Sequence, residues 1–232
     1  MHKKLIITII LLLTASICFG QNNFSRGEEA MMQNKPAEAV IYLESAVAED
    51  PSRAVTYLYL GIVYEQLGRN DEAIAIYRRV LPIAGSLSAN VANNLGNVYL
   101  KTGNTYEAER YYTQAIGFDS VYSSAYLGRA NTEIKAGNLQ NAVSDYEQYL
   151  ALEPRSAQRS TIENLVALIR AEITAGEMRR QMLEEEERRI AQERQDLLDA
   201  VSASLQSAAD ASRGISTGAE GVEGYEGEFV LE

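Results

Sequence analysis

Between Ala54 and Gly85 the large apolar residues fall on one helical face at a time. Tyr57, Leu60, Gly61 and Tyr64 recur at spacings of three and four, the period of a helix packed along one side. Gly68-Arg69-Asn70-Asp71 then supplies a turn, with Asp71 placed to cap a second helix. Ala73, Tyr77 and Val80 mark the inner face of that second helix, with Ile74 beside them. The two small residues Gly61 and Ala73 stand where the helices meet. The pattern predicts a helix–turn–helix hairpin. One hairpin cannot bury both faces of its helices, so this stretch requires neighbours of the same kind.

The neighbours are found by anchoring on the small residue of each second helix. Ala39, Ala73, Ala108 and Ala142 stand 34, 35 and 34 residues apart. Four residues past each anchor come Leu43, Tyr77, Tyr112 and Tyr146, and three further on Ala46, Val80, Ala115 and Tyr149. Twelve before each lie Gly27, Gly61, Gly96 and Ala130. Gly68, Gly103 and Gly137 recur in the intra-unit turn, where the first unit has Asn34. The unit ends carry Pro51, Gly85, Ser120 and Pro154, and the two prolines stand where a helix has to stop.

These residues resemble the tetratricopeptide repeat (TPR) family over about Gln21 to Pro154, in four units: about 21–53, 54–88, 89–122 and 123–156. The second unit matches best. The third has Leu95-Gly96, Tyr99, Ala108 and Tyr112; the fourth has Arg129-Ala130 in place of Leu-Gly and Glu133 in place of the aromatic residue. The resemblance implies an all-α fold, antiparallel helix pairs stacked into a right-handed superhelix. It also implies a concave surface that binds peptides or partner proteins and performs no chemistry.

By the same resemblance, ligand-facing residues come from the first helix of each unit: Glu28, Ile62, Asn97 and Asn131, then Met32, Gln66, Lys101 and Lys135. Asn97 and Asn131 stack one unit apart, as do Lys101 and Lys135, and Asn93 extends the strip by one turn. An amide offers a donor and an acceptor to a peptide backbone, and the lysines favour an acidic segment. The other reading of these residues is an ordinary solvated helix surface. The TPR clamp for chaperone C-terminal carboxylates needs basic residues one turn before Asn97 and Asn131. This chain has Asn93 and Leu127 there, so clamp function is not expected.

Beyond the repeats, Ile162, Leu165, Val166, Ile169 and Ile173 form one stripe, predicting a capping helix over 157–175. After Gly176, residues 177–212 are strong helix formers with Glu184–Arg188 and Glu185–Arg189 pairs. As one helix they would reach about 54 Å at about 1.5 Å per residue. Ile190, Leu197, Val201 and Leu205 suit a short coiled coil or docking onto a partner, against a simply solvated helix. Residues 213–232, rich in Gly and Glu, are expected to be a disordered acidic tail.

Residues 1–20 carry Lys3 and Lys4, an apolar run and small residues near Gly20, the pattern of a signal peptide. The alternatives are an anchor retained through residues 5–19, and lipid attachment at Cys18, whose flanking Ile17 and Ala15 fit a lipobox poorly. The expected setting is the periplasm or cell envelope of a bacterium. Cleavage removes the single Cys, the single His and two of the 21 basic residues, leaving 19 against 32 acidic ones. That balance of −13 argues against nucleic acid and anionic membranes. It also leaves no thiol nucleophile, histidine base or His/Cys metal site. No enzyme activity, cofactor or small-molecule substrate is expected. The expected partner is a protein or peptide, with a homo-oligomer through the C-terminal helix as a further possibility.

Overall fold

The computed structural model describes residues 22–218, with side chains to residue 213. The signal-peptide reading of residues 1–20 and the last part of the tail, residues 219–232, lie outside them. Among the described residues there are helices and no strands. Eight helices form four hairpins: α1 (Asn23–Met32) with α2 (Pro36–Glu49), α3 (Ala54–Gln66) with α4 (Asn70–Val80), α5 (Ser88–Lys101) with α6 (Thr105–Phe118), and α7 (Ser123–Ala136) with α8 (Leu139–Leu152). A ninth, α9, runs over Arg159–Gly218. Its start, to Ala171, belongs to the compact unit of hairpins, and the residues from Glu172 form a second unit.

The anchors are the core of the hairpins. Ala39, Ala73, Ala108 and Ala142 are fully buried, and so are Leu43, Tyr77 and Tyr112 four residues on. A buried ring removes about 150–250 Å² from water, about 4–6 kcal/mol at ~25 cal/mol per Å² as an upper estimate. Tyr112 shows how the space is made. It lies against Gly96 in its own hairpin and against Gly128 in the next one. A Cβ on Gly96 would approach the ring to 2.7 Å, and one on Gly128 to 2.4 Å. The ring is therefore clamped between two first helices that must both present bare backbone.

Two further devices recur. Asn34 has φ 54°, a left-handed conformation that asparagine tolerates better than other non-glycine residues; glycines hold the corresponding turns of the later hairpins. At the junctions between hairpins, Tyr57 Oη donates to the Pro51 carbonyl and Tyr126 Oη to the Ser120 carbonyl, at 3.0 and 3.1 Å. Helices α2 and α8 end two residues before Pro51 and Pro154. Asp71 does not cap α4: Arg69 stands at the N-cap without a side-chain bond, and Asp71 falls inside the first turn. There its charge faces the positive end of the helix dipole, so the residue favours the helix start without capping it.

First helices of successive hairpins touch directly, α1 with α3, α3 with α5 and α5 with α7. They form a continuous wall, and the second helices lie behind it. At the end of the array Ile162, Val166 and Ile169 of α9 are buried, while Arg159 donates to the Leu150 carbonyl at 2.7 Å. Arg170 also pairs with Glu147.

Two boundaries differ from the sequence expectation. Gly176 does not separate a capping helix from a charged one, because α9 passes through it. A mid-helix glycine costs about 1 kcal/mol against alanine, which its strong helix-forming neighbours offset. The helix also continues from Arg213 to Gly218, where a disordered tail was expected, since extending a formed helix is far easier than starting one. Within the second unit Leu197, Val201 and Leu205 are exposed, and Arg189 pairs with Glu186 and Glu193. Among the described residues no helix is long and apolar enough to cross a membrane.

Candidate partner-binding wall

The first-helix wall carries most of the polar residues singled out in the sequence, and the structure adds what holds them. Tyr112 Oη donates to Asn97 Oδ1 at 2.7 Å, and Tyr146 Oη donates to Asn131 Oδ1 at 2.6 Å. The two pairs are related by one repeat, with the asparagine fifteen residues before its tyrosine each time. Each phenol is anchored in the core beneath an exposed asparagine. A phenol that donates to the amide oxygen fixes which end of the amide is which. One of the two acceptor positions on each oxygen is taken, while neither Nδ2 donates to another described residue. The sequence suggested a strip of mixed donors and acceptors. The bonded geometry makes it mainly a row of donors.

Lys101 and Lys135 are both exposed one turn beyond their asparagines. Lys101 Nζ reaches the Glu65 carbonyl on the preceding first helix, at 3.4 Å. Glu65 takes up the tyrosine of its own hairpin: Tyr77 Oη donates to Glu65 Oε1 at 2.6 Å, and Asn94 Nδ2 donates to Tyr77 Oη at 3.3 Å. Ile62 stands where Asn97 and Asn131 stand in the later hairpins, and it has no oxygen to accept from Tyr77. The bond passes to Glu65 instead. Burial pushes the Glu65 carboxyl up from the usual carboxylate range, while Tyr77 and Lys101 act in the opposite direction. The phenols of Tyr77 and Tyr112 are raised by burial and by the charge of Glu65, so both stay protonated and able to donate.

Asn93 does not belong to the exposed strip. It is only 5% exposed; its Nδ2 lies 3.4 Å from Asn94 Oδ1 and its own Oδ1 has no hydrogen-bond partner. It is buried together with the packing residues of its helix, Val91, Ala92, Leu95 and Gly96 among them. Of the polar strip formed by Asn93, Asn97, Lys101, Asn131 and Lys135, the last four reach solvent, as do Met32 and Gln66 in the earlier hairpins. Glu65 and Asn94 were missed by counting from the Gly/Ala position, because only the tyrosine hydroxyl ties them to the wall.

Among the described residues, no cluster of three or more His, Cys, Asp or Glu side chains is arranged to hold a metal ion.

Two family models described as tetratricopeptide repeat match the chain, one over residues 30–92 and the other over 93–158, together more than half its length. RNA polymerase II-associated protein 3 of Xenopus laevis is 30% identical over 110 residues, covering 47% of this chain and 16% of that protein. Outer dynein arm-docking complex subunit 4, also of Xenopus laevis, is 28% identical over 149 residues, or 60% of this chain and 28% of that protein. The chain thus spans less than a third of the length of these curated relatives. Among solved structures, the crystal structure of MamA protein superposes with a TM-score of 0.57 at 19% identity, covering 64% of this chain and 81% of that one. At that identity the likeness is one of fold.

Proposed function

The chain belongs to the tetratricopeptide repeat family, and from that premise we propose that it is a non-enzymatic adaptor holding a peptide or partner protein against its first-helix wall. The observation that carries this reading is the repeated tyrosine–asparagine bond. An unbonded surface asparagine turns freely and would have to be ordered on binding. Two asparagines fixed by buried phenols, one repeat apart, are already ordered donors and lose less conformational freedom when they engage a ligand. Their Nδ2 groups, beside Lys101 and Lys135, suit carbonyl and carboxylate oxygens, so the favoured partner is an extended acidic segment. That preference runs against the net charge of the whole chain, −11.

The proposed setting is the bacterial periplasm or cell envelope, supported by the signal-like residues 1–20, with a retained segment 5–19 or a lipid on Cys18 as membrane-tethered variants. Cleavage is read directly by the N-terminal sequence of the mature protein: a start at Gln21 supports export, and an intact Met1 in the soluble fraction refutes it.

A second reading makes the array a spacer on an oligomer assembled through the C-terminal helix. It is favoured by the exposed apolar residues Ile190, Leu197, Val201 and Leu205, which leave a seam with no partner inside the chain's own second unit. Deleting residues 177–232 separates the two. Partner binding that survives the deletion supports the adaptor, and loss of both oligomer and binding supports the spacer.

A further inference from the structure

The fourth hairpin departs from the second and third in the chemistry behind the wall, and in the first hairpin the same three positions hold Arg26, Ala30 and Tyr42. Arg129 stands where Leu60 and Leu95 stand, Glu133 where Tyr64 and Tyr99 stand, and Asp145 where Ile76 and Tyr111 stand. Three apolar packing positions have become charged together. With Glu109, Asn141 and Ser144 they line a polar cavity of about 270 Å³ between α6, α7 and α8. Glu109, Asn141, Ser144 and Asp145 come from second helices, so this cavity is distinct from the strip of Asn97 and Asn131.

Most of the local positive charge is already committed. Arg129 Nε and the Nη2 amine bind the two oxygens of Asp145, at 2.6 and 2.8 Å, and its Nη1 amine donates to Thr113 at 3.0 Å. That two-point pair satisfies Asp145, which is 5% exposed, and with the Thr113 bond all three guanidinium nitrogens are used. Glu133 has no such counter-ion. It is 4% exposed, lines the cavity, and its Oε2 has no hydrogen-bond partner. A buried carboxylate oxygen without a partner costs at least as much as a lost hydrogen bond, and more when charged. With Glu109 also at the rim, the unmatched charge in the cavity is negative.

We propose that this cavity is a binding site for one cationic side chain of a partner, an arginine guanidinium or a lysine ammonium, with Glu133 as its buried acceptor and Glu109 at the entrance. A neutral donor would satisfy Oε2 and leave the charge uncompensated, whereas a cation supplies both. A site of this sign reads a basic residue, and the strip on the other face reads an acidic segment. The inference therefore does not depend on the proposed use of that strip.

The protonation of Glu133 gives the site a signature. Burial foremost, and then the charge of Asp145, push its carboxyl up to about 7; Glu109 adds to this, while Arg129 and Asn141 oppose it. A cation must displace that proton, so affinity rises with pH through this range. The test uses the full chain and three blocked tripeptides, Gly-Arg-Gly, Gly-Lys-Gly and the uncharged citrulline analogue of the first, titrated by calorimetry at pH 6 and pH 8. The expected result is binding of an arginine or lysine peptide about tenfold tighter at pH 8 than at pH 6, with the citrulline peptide inert. Glu133→Gln weakens binding at pH 8 at least tenfold and removes the pH dependence. Glu109→Gln, at a half-exposed residue whose loss cannot unfold the hairpin, weakens it several-fold. Absence of binding by both cationic peptides overturns the proposal. So does equal binding of the citrulline peptide, or wild-type affinity in both variants.

Discussion

Replacing Gly128 with alanine tests whether Tyr112 is held as tightly as the packing implies. The new Cβ would lie 2.4 Å from Tyr112 Cε1 and 2.5 Å from Cζ. Ordinary carbon contacts stand at about 3.5–4.0 Å, so the ring must retreat by about 1 Å. It has nowhere to go. On its other face a Cβ at Gly96 would already be within 2.7 Å, which puts the α5 backbone hard against the ring, and the Oη atom is bonded to Asn97. Overpacking of this kind costs about 1–3 kcal/mol, and the better helix propensity of alanine returns up to about 1 kcal/mol. The net expectation is a loss of about 1–2 kcal/mol. Gly117 provides the control, because it lies in α6 with no heavy atom within 4 Å of a new Cβ. The same substitution there should gain a few tenths of a kcal/mol. Urea unfolding followed by circular dichroism reads both changes as midpoints. A Gly128→Ala midpoint at or above that of wild type would show that the ring has room, and the clamped-tyrosine account would be wrong.

Other expectations follow from the same packing. Asn34→Ala should cost about 1 kcal/mol in thermal unfolding, because alanine resists the left-handed backbone there, while Asn34→Gly should stay within a few tenths. Tyr112→Phe and Tyr146→Phe should each cost about 0.5–1.5 kcal/mol and release the bonded asparagine; amide NMR of Asn97 and Asn131 should show side-chain signals broadened or averaged by rotation. Glu133 holds its proton more tightly in the folded protein than in the unfolded chain. Its contribution to stability is therefore complete below the ordinary glutamate range and is lost as pH rises through about 7. The melting temperature of wild type should fall relative to Glu133→Gln between pH 5 and pH 8; parallel curves would refute the raised carboxyl.

The hairpin array was legible because its signal is redundant. Ala73, Tyr77, Gly61 and Val80 each have counterparts at intervals of 34 or 35 residues, so the failure of one position is outvoted by the rest. Gly128 had no such support. It clamps Tyr112 from the following hairpin, and counting within one repeat does not reveal a contact made across two. The site was legible only in part. Asn97, Lys101, Asn131 and Lys135 were found by register, but register cannot say that a phenol behind the wall occupies an amide oxygen. Nor could it tell that Asn93, one turn away from Asn97, is buried. The charged cavity announced itself as motif failures, Arg129 and Glu133, and its third member Asp145 comes from another helix. Gly176 misled because glycine is a strong stop signal in short helices and a minor cost inside a long run of helix formers.

The choice of an acidic segment by fixed donors on the first-helix wall is tested by a displayed library of random peptides selected on the full-length protein. Acidic sequences should be enriched, with the enrichment lost for Asn97→Ala/Asn131→Ala and turned toward basic sequences for Lys101→Glu/Lys135→Glu. Acidic peptides that bind both double variants as well as they bind wild type would contradict that choice.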